Sequence, residues 1–172
     1  MKKSAYILFM IAVFALAASA AQDKPVGGLE DAVFKAIWSE PHFGVFDNLL
    51  FKIDGSEVTL LGQTVLPITK VNVGARVGKV AGVTKVINEI EVLPVSENDD
   101  SIRLRAYRAL FSSADLYRYS LDVNPSIHII VKNGRLTLEG IVSTVSDAQR
   151  ALMAVRGLSG VFSVKSNLKT EK

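Results

Sequence analysis

The chain has 172 residues, of which 49% are hydrophobic and 22% are charged, and this composition is typical of a folded globular protein. It contains no cysteine, which excludes disulfides, thiolate catalysis, cysteine-based metal sites and acylation of a cysteine. The formal net charge is only +3, so nucleic acid is not predicted as a partner.

The first segment, MKKSAYILFMIAVFALAASAAQDKP, predicts a secretory signal peptide over residues 1–20. Lys2 and Lys3 precede an apolar run, and Ala18-Ser19-Ala20 offers the small residues of a cleavage site. The alternative is a retained membrane anchor, because the 18 uncharged residues from Ser4 to Ala21 reach the lower limit for a spanning helix. Cleavage after Ala20 removes two of the 20 basic residues and leaves 18 against 17 acidic ones.

After the signal segment the sequence repeats itself. Residues 58–62 (VTLLG) match residues 136–140 (LTLEG) at an offset of 78, and this offset holds without a gap for over thirty residues. Upstream, AVFKAIW (32–38) matches RAYRALF (105–111) at an offset of 73, so the second copy has about five additional residues before its first strand. The simplest interpretation is two copies of one supersecondary unit.

The first copy predicts a helix around residues 32–38 and then a hairpin. The turn is DGSE (54–57), with apolar side chains alternating on either side of it. The segment TKVNVGARVGKVAGV (69–83) has strand-like alternation, but the repeat alignment places a helix there, and we predict a helix. Gly74 and Gly78 each cost such a helix about 1 kcal/mol against Ala. They indicate either close packing on the helix's own sheet or a smooth face for another helix, a subunit or a lipid.

The second copy predicts the same elements with a clearer pattern. A helix over residues 102–112 follows ENDDS, where Asp99, Asp100 or Ser101 is the predicted cap. Alternating apolar residues then lead to Asn133-Gly134, which supplies the two positive-φ positions of a tight hairpin turn. The second helix is predicted over residues 145–156, with Ser146 or Thr144 as its cap.

We therefore predict an α+β fold of two tandem αββαβ domains. Each domain has a three-stranded mixed sheet with two helices packed on one face, and a signal peptide precedes the pair. The first domain spans residues 28–93 and the second spans residues 99–170. The linker, residues 94–98, is short and contains Pro94, so we expect the two copies to share an interface.

The sequence contains no motif for catalysis, metal binding or phosphate binding. His42 precedes the first strand of copy one and His128 points outward on a strand of copy two, and neither has a partner for nucleophilic catalysis or metal binding. The NDD run at 98–100 lacks the alternating oxygen ligands of a calcium loop and is interpreted as a solvated helix cap. VGARVGKVAG (73–82) lacks the ending of a phosphate loop. We expect no catalytic residue, no metal and no cofactor.

Basic residues on the second helices and the last strand are candidate contacts for anionic lipid headgroups, where each contributes about 1 kcal/mol. A solvated face without a binding role is the alternative. Aromatic residues in or near the loops are expected mostly in the core, with one or two at a bilayer interface. The candidate lipid contacts are Lys70, Arg76, Lys79, Arg150, Arg156 and Lys165, and the aromatics are Trp38, Phe43, Phe46, Tyr117 and Tyr119.

VKNGRLTLEGIV (131–142), followed by a helix and GLSGVFSVKSNL (157–168), resembles the BON domain. Copy one shows the same pattern as IDGSEVTLLGQTV (53–65) and VAGVTKVINEIEV (80–92). The resemblance implies a periplasmic protein of two BON domains, associated with phospholipid binding and envelope integrity, without catalytic residues or a cofactor. The chain differs from the related lipoproteins in having no cysteine to acylate.

These observations predict a non-catalytic periplasmic binding module that acts at the cell envelope and supports its integrity or stress tolerance. The predicted partner is an anionic phospholipid or membrane surface. The alternative is a periplasmic chaperone or assembly factor that binds unfolded or outer-membrane proteins.

Overall fold

The computed structural model describes residues 28–122 and 124–170, which form two α+β units in tandem. The predicted signal peptide, residues 1–20, lies outside the described residues. In the part of the chain that the structure describes, no helix combines the length and the apolar character needed to cross a bilayer.

The two units have matching element orders. The first unit consists of α1 (Gly28–Trp38), β1 (Asn48–Asp54), β2 (Glu57–Thr64), α2 (Pro67–Val77), β3 (Lys85–Asn88) and β4 (Glu91–Val92). The second unit consists of α3 (Glu97–Phe111), the short α4 (Ala114–Tyr117) with a 3₁₀ turn (Arg118–Ser120), β5 (Ile127–Lys132), β6 (Arg135–Val142), α5 (Val145–Val155), β7 (Ser163–Ser166) and β8 (Lys169–Thr170). The second copy was predicted to have a longer connection between its first helix and its first strand, and this connection contains α4 and the 3₁₀ turn.

Both sheets are mixed and share one topology. β1 pairs antiparallel with β2, and β2 pairs parallel with β3 and β4; β5, β6, β7 and β8 repeat this arrangement. The third predicted strand is divided into two short segments in each unit, and both segments pair with the central strand. The predicted α+β class and the mixed strand pairing are confirmed.

The helices pack on one face of each sheet because their apolar residues recur at helical spacing. In the first unit Val33 and Ile37 of α1 and Val73 and Val77 of α2 are fully or almost fully buried. Val71, which continued the strand-like alternation, is 62% exposed. The predicted helix is therefore confirmed, since the buried valines are four residues apart and lie on one face.

Gly62 and Gly140 occupy the same position in the two central strands and have the same physical reason for being glycine. Their φ angles are +105° and +116°. A Cβ on Gly62 would lie 1.9 Å from the carbonyl oxygen of Asn48, and one on Gly140 would lie 2.0 Å from that of Ser126. Both copies of the repeat therefore bring this glycine so close to a backbone carbonyl of the neighbouring strand that a side chain has no room.

The turn between β5 and β6 is fixed by a buried carboxylate. Asn133 and Gly134 have φ angles of +52° and +71°, as the sequence predicted. Their backbone N–H groups donate to the two carboxylate oxygens of Asp99 at 2.7 and 2.8 Å. Asp99 is almost fully buried, so the interpretation of this run as a solvated cap was wrong for this residue. The sequence pattern did not show that the run reaches across to the turn.

The start of α3 also differs from the prediction. The helix begins at Glu97, within the segment predicted as linker and five residues before the predicted start at Ile102. Its cap is Ser96, whose hydroxyl accepts from the Asp99 N–H at 3.3 Å. The first turn was missed because it has no apolar residue and its polar side chains were interpreted as the cap. At α5 the predicted Thr144 cap is confirmed by its bond to the Asp147 N–H at 3.1 Å.

The glycines of α2 have different roles. A Cβ on Gly74 would lie 2.7 Å from the amide nitrogen of Asn88, which donates to the Lys70 carbonyl at 2.8 Å. Gly74 therefore allows close packing of α2 on its own sheet, the first of the two predicted explanations. Gly78 ends the helix as its C-cap and is exposed.

The end of α1 and the segment before β1, residues 38–47, join the two units. The Ile129 N–H of β5 donates to the Val45 carbonyl at 2.8 Å, and the Asn124 amide donates to the Trp38 carbonyl at 3.1 Å. The Phe43 ring stacks on His128 with centroids 5.4 Å apart and an interplanar angle of 10°. The interface expected from the short linker is present, and it covers part of the free edge of β5.

Candidate functional site

The exposed face of α2 is apolar, which is unusual for a helix that packs on only one side. Ile68, Val71, Ala75 and Gly78 recur at helical spacing and are all exposed, with 46% exposure for Ile68 and 62% for Val71. We call these four residues the α2 face. A helix of this kind would normally present polar residues to solvent, so the α2 face is a candidate contact surface.

Cations border the α2 face on both sides. The helical periodicity places Arg76 at one border of the face and Lys70 at the opposite border, and Lys79 follows the C-cap Gly78 on the side of Arg76. α2 contains no acidic residue. A cavity of about 530 Å³ adjoins the face between α1 and α2, and it is lined by Ala36, Asn72, Ala75, Arg76 and Lys79.

Arg76 makes a structural contact within the unit. Its Nε donates to the buried carboxylate of Glu40 at 2.9 Å, and the amide of Asn72 donates to the same carboxylate at 3.1 Å. Burial alone would raise the pKa of Glu40, but hydrogen bonds from His42, Asn72 and Arg76 outweigh it and hold the pKa below its usual value. Arg76 therefore ties α2 to the segment after α1, and only part of its side chain faces solvent.

Arg150 of α5 also binds carboxylates of its own unit. It donates to the buried carboxylate of Asp147 at 3.2 Å and lies 3.6 Å from Asp115. The hydrogen bond from Thr144 is the main cause that lowers the pKa of Asp147, and the hydroxyl of Tyr119 adds to it against the opposing effect of burial. The pair with Asp147 lies within α5, and the pair with Asp115 joins α5 to the short helix α4.

The six predicted lipid contacts do not form one surface. Lys70, Arg76 and Lys79 lie on or next to α2, whereas Arg150 and Arg156 lie on or next to α5. Lys165 lies on β7 beside Val164, which packs into the core, so Lys165 points away from the helices. The predicted contacts thus divide into separate regions, and the three near α2 adjoin the apolar face.

The face of α5 that corresponds to the α2 face is polar. At the repeat offset of 78, Ile68, Val71, Ala75 and Gly78 correspond to Ser146, Gln149, Met153 and Arg156, all of which are exposed. Three of these four residues are polar or charged. The fold does not require an apolar face here, because the second unit forms the same helix without one.

The predicted interfacial aromatics have mixed outcomes. Trp38 is 40% exposed and stacks on Phe34 with centroids 4.9 Å apart, and Tyr117 is also exposed. Phe43 and Tyr119 are buried, as expected of core residues. Phe34 was not among the predicted aromatics, although its position four residues before Trp38 is visible in the sequence.

The two histidines are held by structural contacts. Nδ1 of His42 lies 2.8 Å from Glu40, and the nearby Ser39 hydroxyl donates to the Ala36 carbonyl. His128 points outward from its own sheet as predicted, but Phe43 covers it and burial lowers its pKa. Within residues 28–122 and 124–170, no group of three or more His, Asp or Glu side chains is placed to hold a metal ion.

The second unit can be compared with known families. Residues 98–172 match the BON domain. The BON match includes all of the second unit from α3 onward except Glu97, and the first unit lies outside it. No curated protein matches the chain.

Two solved structures resemble the chain. One is CdsD, a structural protein of the type III secretion system of Chlamydia trachomatis, with 11% identity over 81% of this chain and 90% of that chain, and a TM-score of 0.30. The other is the C-terminal domain of CdsD, with 12% identity over 86% of this chain and 100% of that chain, and a TM-score of 0.31.

Proposed function

We propose that this protein is a non-catalytic periplasmic module that binds anionic phospholipid surfaces through the α2 face. The BON match of the second unit indicates an envelope-related binding module. The observation that carries the lipid proposal is the exposed apolar face of α2 with lysines on both borders and no acidic residue on the helix.

The geometry suits a helix that lies in the plane of a membrane interface. Val71 and Ile68 would enter the boundary between headgroups and acyl chains, and Lys70 and Lys79 would remain among the phosphates. Each lysine near an anionic surface contributes about 1 kcal/mol, and salt weakens this contribution. Small residues at Ala75 and Gly78 allow the helix backbone to approach the surface closely.

We also propose that residues 28–93 are a second, divergent BON-like domain. The supporting observations are the identical strand pairing and the positive-φ glycines at matching positions, Gly62 with Gly140 and Gly82 with Gly160. Deletion of residues 97–172 tests this proposal. If residues 28–93 are a domain, the remaining fragment should unfold cooperatively in urea, whereas a non-cooperative transition would contradict it.

Periplasmic location is part of the same proposal and rests on the signal-peptide pattern of residues 1–20 and on the BON match. The mass of the protein recovered from a periplasmic extract measures the cleavage site directly. A mass that begins at Ala21 would support export and cleavage, and a full-length mass in the membrane fraction would favour the retained anchor.

The lipid proposal is tested by co-sedimentation of the mature protein with vesicles, with and without phosphatidylglycerol. We expect binding that requires the anionic lipid and weakens with salt. Val71→Glu places a carboxylate in the middle of the α2 face and should reduce binding at least about tenfold, since it removes apolar contact and adds repulsion.

The matched control is Gln149→Glu, which introduces the same carboxylate at the corresponding position of α5. It should leave vesicle binding within about twofold of the unmodified protein, because each exposed charge far from the contact surface acts weakly. Equal losses in the two variants would show that net charge, and not the α2 face, governs binding. Negligible binding of the unmodified protein to both kinds of vesicle would remove the lipid proposal.

A further inference from the structure

A cleft lies at the junction of the two units, on the side of both sheets that faces away from the helices. Its volume is about 390 Å³, within the range of small-molecule sites. We call it the junction cleft. It is lined by Gln63 of β2, Leu93 directly before the linker, and Ile130, Lys132, Asn133, Arg135 and Thr137 of the β5–β6 hairpin.

The second unit gives the junction cleft a positive wall. Lys132 and Arg135 line it directly, and Lys165 lies next to Thr137 in the register of β6 and β7. Lys132 pairs with Glu91 at the rim. Among the residues that the structure describes, Arg135 and Lys165 make no ion pair, so two cations remain to meet an anion.

The fold does not account for these cations. At the repeat offset of 78 the corresponding residues of the first unit are Asp54 for Lys132, Glu57 for Arg135 and Ile87 for Lys165. The first unit builds the same hairpin and the same third strand with two acids and an isoleucine. The positive wall is therefore a property of the second unit's surface and not a requirement of its topology.

The uncharged residues of the junction cleft restrict the ligand further. Asn133, Thr137 and Gln63 offer amide and hydroxyl groups that hydrogen-bond to hydroxyls. Ile130 and Leu93 supply an apolar surface on which the carbon atoms of a polyol or sugar can pack. A bare inorganic anion would use the cations and leave the other contacts unmade.

We propose that the junction cleft binds a phosphate ester of a small polyol. Arg135 forms the main charge-assisted hydrogen bonds to the phosphate oxygens, and Lys165 adds a second positive charge. The amides and Thr137 contact the polyol hydroxyls. This site is separate from the α2 face, because the cleft residues point away from the helix layer of each unit.

The proposal is tested with sn-glycerol 1-phosphate as the probe, followed by the backbone amide signals of the 15N-labelled mature protein. We expect saturable shifts centred on Asn133, Thr137 and Lys165, with a dissociation constant below about 10 mM, as for a weak site of two cations. Glycerol at the same concentration should produce no saturable shift. Inorganic phosphate should bind more weakly than the ester.

Arg135→Gln should weaken binding of the probe at least about tenfold, because it removes the charge-assisted contacts to phosphate. The matched control is Arg108→Gln, which removes an exposed cation from α3 and should leave binding unchanged. Retention of the native amide spectrum shows that each variant is folded. Shifts scattered over all basic surfaces, or equal losses in the two variants, would overturn the proposal.

The source of the ester is resolved by vesicles that contain phosphatidylglycerol. If the ligand is a lipid headgroup, sn-glycerol 1-phosphate should compete with the vesicles and Arg135→Gln should weaken vesicle binding. If the ligand is a soluble ester, the probe should bind without competing. Binding of the probe in the absence of any vesicle binding would support the junction cleft and contradict the lipid role of the α2 face.

Discussion

The two units have one topology but opposite surfaces at two corresponding places. The second helix is apolar with lysines at its borders in the first unit and polar in the second. The hairpin carries Asp54 and Glu57 in the first unit, where the second unit has Lys132 and Arg135. Since the same fold tolerates either surface, these differences do not serve folding. They indicate that each unit presents its own contact surface.

The two units also differ in the buried carboxylate that holds the second helix in place. Glu40 binds Arg76 of α2 and ties that helix to the segment after α1, whereas Asp147 lies on α5 itself and binds Arg118 and Tyr119 of the 3₁₀ turn. The two carboxylates do not correspond in the repeat, because Asp147 corresponds to Thr69 and Glu40 precedes the first strand. Each unit has thus acquired its own way of fixing the second helix. Removing one partner would leave a buried charge, which is costly in either case.

The largest expected effect tests what the units share. Gly62→Ala and Gly140→Ala each place a Cβ within about 2 Å of a carbonyl oxygen at a positive φ. Each should lower the free energy of unfolding by at least about 2 kcal/mol, measured by urea denaturation. The two losses should be similar, because the two positions have the same backbone geometry.

The control is Gly44→Ala, where no atom lies within 4 Å of the added Cβ. Its free energy of unfolding should change by less than about 0.5 kcal/mol. A loss in only one of the two strand variants would mean that the units have different central strands in solution, and the comparison between them would fail.

A smaller loss is expected from the contact that distinguishes the second hairpin. Asp99→Ala leaves the Asn133 and Gly134 N–H groups without their acceptor and should cost about 1 to 2 kcal/mol in urea denaturation. Asp99→Asn keeps one acceptor and should cost about half as much. A loss below about 0.5 kcal/mol for Asp99→Ala would show that water replaces the carboxylate at this turn.

The repeat carries most of what the sequence predicts about the fold. The ungapped offset placed a helix over α2 against its local alternation, and the Asn133-Gly134 turn has the expected positive φ angles. The missed features join segments far apart in the chain. Asp99 with the β5–β6 turn, and residues 39–47 with β5, are contacts that no local pattern encodes.

The candidate surfaces were harder to predict for a related reason. Arg76 and Arg150 are basic residues of the kind that contact lipid headgroups, and only the structure shows their ion pairs with Glu40 and Asp147. The exposed apolar face of α2 could not be predicted from the sequence, because the sequence does not show which of its valines face the core. The charge reversal between Glu57 and Arg135 is visible in the aligned repeat, but its meaning depends on the cleft beside it.

The difference between α2 and α5 can be tested by placing apolar residues of the α2 face on α5. Ser146→Ile combined with Gln149→Val gives α5 two apolar residues of the α2 face at the corresponding positions. In a Val71→Glu background this change should restore vesicle binding by a few-fold, since two buried aliphatic side chains contribute on the order of 1 to 3 kcal/mol each before losses. Co-sedimentation measures the recovery. No recovery would show that α5 cannot reach the membrane in the orientation that α2 uses.

The smallest expected effect concerns the contact that joins the units. Burial against Phe43 lowers the pKa of His128, while the Gly44 carbonyl, Asp47 and Glu139 oppose the shift. The folded protein therefore keeps His128 neutral where the unfolded chain, with an ordinary pKa of about 6.5, takes up a proton. The stability from this site is full above about pH 6.5 and is lost as the pH falls below that value. His128→Phe preserves the ring stack and removes the titration, so its free energy of unfolding should decline less between pH 7.5 and 5.5 than that of the unmodified protein. Equal declines in urea denaturation would show that His128 is hydrated in solution and that the junction between the units is open.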